Sequence, residues 1–84
     1  MTEDKLPAQL SWRDFVCVLK YLGYSQYQSK PGAARVFRNE HRDPEFVTFH
    51  EPHGKDPLRR GTLREYVNKL KLSRDQFLEV LMKC

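Results

Sequence analysis

The stretch GYSQYQSKPGAARVFRN, residues 23–39, decides the fold. Gly23 follows an amphipathic run and is placed to close a helix as a left-handed cap. Residues 24–30 alternate in a strand-like way, Pro31 and Gly32 mark a tight turn, and residues 34–39 form a second extended run. A third run, FVTFHE at residues 46–51, follows the polar, proline-containing segment HRDPE. Strands joined by connections this short pair antiparallel, so the centre of the chain reads as a three-stranded meander.

Helices flank it. Ser11 with Asp14, Thr62 with Glu65 and Ser73 with Gln76 each put a hydroxyl ahead of free backbone amides, with an acid or amide side chain three residues on. Apolar residues then recur at helical spacing: Trp12, Phe15, Val16, Leu19 and Leu22; Leu63, Tyr66, Val67 and Leu70; Phe77, Val80 and Leu81. The predicted order is helix, three strands, helix, helix: an α+β domain with the helices on one face of an antiparallel sheet and the other face open.

The bulk composition agrees. A chain of 84 residues is long enough for one modest core and too short for two, so residues 1–84 read as a single domain with 1–9 flexible. Hydrophobic residues make up 39% and charged residues 31%, and the aromatics supply much of the area to be buried. The start, MTEDKLPAQL, is polar and resembles neither a signal peptide nor a membrane span. Cys17 and Cys84 alone make no secreted disulfide framework and no metal cluster, so a reducing cytoplasm is the expected compartment.

The net charge of +4 concentrates in residues 30–42 and 55–64, a surface suited to a polyanion, whether nucleic acid or an acidic protein. A solvated, merely solubilising face is the plain alternative. The densest chemistry lies in FHEPHGKDPLRRGTLREYV, residues 49–67. His50 and His53 flank a proline at a strand end, ahead of Lys55, Arg59, Arg60 and Arg64. A histidine beside a scissile phosphate can move a proton near neutral pH while Lys and Arg stabilise charge developing on phosphorus. The same histidines would serve equally as a strand-edge cap and a loop hydrogen-bond partner. Zinc does not fit, because Pro52 forbids the helix that a paired-histidine zinc motif needs. A helix start at Thr62 beside Arg59, Arg60 and Arg64 could cradle a backbone phosphate. Tyr24, Tyr27 and Phe46 would stack on bases if they lie on the open face, and would otherwise be core.

From residue 52 the run PHGKDPLRRGTLREYVNKLKLSRDQFLEVL resembles the tail of the HicA family of bacterial toxins, with His53 and Gly54 followed by Gly61, Thr62 and Leu63. Gly23 and Tyr24 at the end of the first helix also match, and the likeness extends over about residues 10–81. This resemblance implies a fold like the double-stranded-RNA-binding domain, cleavage of mRNA without a metal or other cofactor, and a HicB-type antitoxin that covers the active face. The family carries Gly-Ser-His on its second strand, the histidine being catalytic. Here Gly32 and Phe37 keep that frame, while Ala33 and Ala34 stand at the serine and the histidine. Either another residue supplies the base, or the chain binds RNA without cutting it, or the alanine was introduced to silence it.

Strand parity weighs on the choice. If Phe37 faces the core, Ala34, Val36 and Arg38 face away; if Val47 and Phe49 are core, Thr48 and His50 share that outer face. His50, with His53 as second candidate, is therefore the expected base, and Lys30, Arg35, Arg38, Lys55, Arg59, Arg60 and Arg64 are the expected RNA contacts. The alternatives are a non-catalytic RNA-binding module of the same fold and a basic domain that binds an acidic protein.

Overall fold

A computed structural model describes residues 5–29 and 32–84. The elements run β1 (Gln9–Leu10), α1 (Trp12–Tyr21), β2 (Ser25–Ser29), β3 (Ala34–Arg38), β4 (Phe46–His50), β5 (Leu58–Arg59), α2 (Arg60–Lys69) and α3 (Arg74–Met82). The meander β2-β3-β4 is antiparallel throughout, and β1 pairs with β5 in a separate two-stranded ribbon. Lys30 and Pro31, at the predicted turn, lie outside the described residues.

Local chemistry sets the first helix. Ser11 accepts a hydrogen bond from the Asp14 amide at 3.1 Å, as the capping pattern requires. At the other end Tyr24 N donates to Leu19 O and Gly23 N to Lys20 O, the paired bonds of a Schellman cap. Gly23 has φ +97, and a Cβ there would meet Asn39 Nδ2 at 2.9 Å, so the position needs glycine on two counts. That same Asn39 amide donates to Leu22 O, tying the end of the helix to the end of β3.

Ser73 and Gln76 form the full reciprocal capping box of α3. The Thr62 cap expected for α2 does not occur. The helix begins three residues earlier, with Arg59 rather than Thr62 at the N-cap and no side-chain capping bond. The cause is the ribbon: β5 pairs with β1, and Arg60 N donates to Ala8 O at 3.0 Å, so tertiary hydrogen bonding sets the start of the helix. The same ribbon takes in part of residues 1–9, the segment expected to be flexible. Among them residues 5–9 are described, Leu6 is buried in the core, and its carbonyl accepts from Arg60 Nε at 2.9 Å. α2 ends in a second Schellman cap, with Lys71 at φ 56 in place of a glycine.

One core joins these elements. Phe15 packs against Phe49 at 5.0 Å between ring centroids, against Tyr66 at 5.6 Å and against Phe77 at 6.4 Å, joining α1, β4, α2 and α3. Tyr24 belongs to this core, with its hydroxyl donating to Pro44 O, so it is no base-stacking residue. α3 packs along α1, and Cys17 and Cys84 are joined in a disulfide that ties the C-terminus to α1. Formation of that bond requires oxidation, which a reducing compartment opposes. No helix among the described residues is long and apolar enough to cross a membrane.

Truncating Phe15, which is fully buried, removes contacts to all three partner elements at once. Phe15→Ala is expected to lower unfolding stability by about 3–5 kcal/mol, read as a reduced midpoint in urea titration.

Candidate functional site

The register of β3 against β4 pairs Ala34 with His50, Val36 with Thr48 and Arg38 with Phe46. Directly opposed residues share a face, and Phe37, Val47 and Phe49 occupy the other, core-facing side. The parity expected from the sequence therefore holds for Ala34, Val36, Arg38, Thr48 and His50. His50 stands immediately across the ladder from Ala34, with its side chain exposed.

The backbone of His50 is anchored from the outer side. Among the described residues β4 has no strand beyond it, so the polar groups of its edge need other partners. Tyr66 Oη accepts from His50 N and donates to His50 O, both at 3.1 Å, and Lys69 Nζ donates to Thr48 O at 3.1 Å. One turn of α2 thus seals the edge and fixes the main chain that carries the exposed imidazole. Tyr66 had been legible in the sequence only as a member of an apolar stripe.

His50 and His53 open onto one cleft of about 420 Å³ between the end of β4 and the first turn of α2, with Glu51, Asp56, Arg59 and Thr62 also on its walls. A neighbouring hollow brings His53 beside Gly32, Ala33 and Arg35, so the start of β3 and both histidines belong to one surface. The first turn of α2 has no side-chain cap, leaving its positive dipole end toward the cleft through Arg59 and Thr62. Among the described residues no three of His, Cys, Asp and Glu converge as metal ligands.

The expected cations do not form one cradle. Arg35 lies on the core-facing side of β3, where it pairs with Glu51 at 3.1 Å and donates to the carbonyls of Gly32 and Ala34. Arg38 is on the open face and bonds Glu45 at 2.9 Å, with Glu40 at 3.6 Å. The Glu45 hydrogen bond, aided by the charges of Glu45 and Glu40 against a smaller opposing effect of burial, holds its guanidinium pKa above the usual value. Lys55 is exposed in the loop after His53, and Arg59 borders the histidine cleft. Arg60 and Arg64 turn to a different cleft altogether, and Lys30 is outside the described residues.

An aromatic pair completes the open face. Tyr27 sits at a β-bulge, where the β2–β3 register shifts between Gln26 and Gln28, and meets Phe46 edge-on at 5.3 Å. Both rings are about half exposed, at 57% and 49%, and the Arg38 guanidinium lies 5.9 and 5.4 Å from their centroids. Two exposed rings beside a guanidinium form a surface on which unpaired bases can stack. Comparison of the chain with known protein families, with curated proteins and with solved structures returned no match.

Tyr66→Phe keeps the ring and removes only the bonds to His50. It is expected to cost about 1 kcal/mol of stability and to speed hydrogen exchange at the His50 amide selectively, relative to Val47 in the same strand.

Proposed function

We propose that this chain is an RNA-cleaving toxin of the HicA kind, acting on mRNA without a metal and held in check by a HicB-type antitoxin. The observation that carries the reading is the Ala34–His50 pair: the resemblance puts the family's catalytic histidine at Ala34, and an exposed imidazole stands directly across the ladder from it. The order α1, three-stranded meander, α2 supports the fold like a double-stranded-RNA-binding domain that the resemblance implies.

In this mechanism the strand lies over the open face with bases on Tyr27 and Phe46. Neutral His50 takes the proton of a ribose 2′-hydroxyl, whose oxygen attacks the adjacent phosphorus. The bond from phosphorus to the 5′-oxygen breaks, and His53, in its protonated form, returns a proton to that leaving oxygen. The products are a 2′,3′-cyclic phosphate and a 5′-hydroxyl end. Arg59, Lys55 and the open first turn of α2 offset the charge that develops on phosphorus. Arg35, already bonded to Glu51, acts by holding the strand start rather than by free contact with phosphate.

A second reading is favoured by the Tyr27–Phe46 pair, which needs no base to be useful: a module that binds RNA and leaves it intact. The two readings separate by measurement. Induced without its antitoxin, the parent chain is expected to arrest bacterial growth and deplete mRNA, with cleavage by the purified chain falling about 10²-fold or more in His50→Ala. Undiminished cleavage by His50→Ala and by His53→Ala overturns the catalytic assignment. RNA binding without cleavage supports the second reading, and loss of that binding in Tyr27→Ala or Phe46→Ala locates it on the open face. No RNA affinity at moderate salt leaves a basic domain for an acidic protein partner.

A further inference from the structure

Away from the histidines, on the other side of α2, lies a cleft of about 360 Å³ that this mechanism does not use. Arg60 and Arg64 reach it from successive turns of α2, Arg74 from the start of α3 and Lys5 from the N-terminal segment, with the Asn68 amide between them. Its floor is apolar, made by buried Leu6 and Val67. No carboxylate lines it among the described residues, and Asp75, 3.9 Å from Arg74 Nε, is itself exposed.

Four cations gathered around one concave site repel one another, and among the described residues no carboxylate in its wall offsets that charge. The arrangement is also built rather than incidental. Arg60 is fixed by Nε to Leu6 O and by its amide to Ala8 O, which holds the N-terminal segment against α2 and places Lys5 at the rim. Arg64 is exposed and forms no ion pair among the described residues, so its planar fork of donors can face two oxygens of one anion. A single chloride would leave most of this charge unmatched; several phosphate oxygens held close together would match it.

We infer that this cleft is a binding site for a compact group of phosphates, separate from the histidine cleft. Its chemistry suits either a polyphosphate terminus or the closely spaced phosphodiesters of a nucleic-acid strand. The site stands whether or not the chain cleaves RNA.

The test is a titration of the full chain with inorganic tripolyphosphate at fixed moderate salt, followed by calorimetry and by amide chemical shifts. The largest shifts are expected at Lys5, Arg64, Asn68 and Arg74, with a rise in melting temperature as the ligand saturates. The double variant Arg64→Gln/Arg74→Gln is expected to bind at least tenfold more weakly. Removing equal charge elsewhere, with Arg13→Gln/Lys20→Gln, should change affinity less than twofold, as should His50→Ala. An equal loss in the Arg13/Lys20 variant, shifts centred on His50 and His53, or no saturable binding overturns the inference. If the Arg64/Arg74 variant does not fold, the shift map of the parent chain decides alone. RNA oligomers then separate the two sources: a loss in the double variant confined to 5′-triphosphate ends assigns the site to a strand terminus, and an equal loss with 5′-hydroxyl ends assigns it to internal phosphodiesters, either of which supports the site.

Discussion

The packing of Phe15 against Phe49 and Tyr66 is the contact on which the rest of this structure depends. It joins α1 to β4 and α2 in a single aromatic cluster and so decides which side of the meander is covered. With Phe49 turned inward, the two-residue period of β4 leaves Phe46, Thr48 and His50 outward. With Tyr66 pressed on Phe49 at 4.7 Å, its hydroxyl arrives at the unpaired edge of β4 and takes both polar groups of His50. An exposed imidazole on a fixed backbone is thus a consequence of core packing. Burial of apolar area drives the docking, and the hydroxyl turns it into positional control at the rim.

A second consequence concerns charge. Arg59, Arg60 and Arg64 look like one basic stretch in the sequence, yet helical geometry parts them. Arg59 borders the histidine cleft, whereas Arg60 and Arg64, four residues apart on one face, turn toward Lys5 and Arg74. The chain presents two chemically different surfaces on the two flanks of α2: one with histidines, carboxylates and an arginine, the other with cations as the only charged groups among the described residues.

Much of the architecture was legible because the signals were local. Ser11, Ser73, Gln76 and Gly23 do what their side chains or lack of one predict within a few residues. The sharing of an outer face by Ala34 and His50 followed from alternation alone, once Phe37 and Phe49 were taken as core. What the sequence did not show was non-local. Thr62 carried a capping pattern, but the pairing of β1 with β5 began α2 at Arg60; Leu6 stood in an apparently flexible lead-in and is buried. Arg35 looked available for phosphate and is bonded to Glu51, seen only when β3 and β4 are laid side by side.

By itself the sequence determined the helix ends that side-chain hydrogen bonds impose, the alternation that separates the two faces of the sheet, and a surplus of positive charge. Those are properties of neighbours along the chain, where a hydroxyl finds an amide three residues away whatever the rest of the protein does. Only the tertiary structure decided where the charge went, which strand edge Tyr66 would close, and that Lys5 and Arg74 would meet Arg60 and Arg64 in one cleft. These depend on residues up to 69 positions apart in the chain lining one cleft, brought there by burial of a shared core that no local pattern specifies.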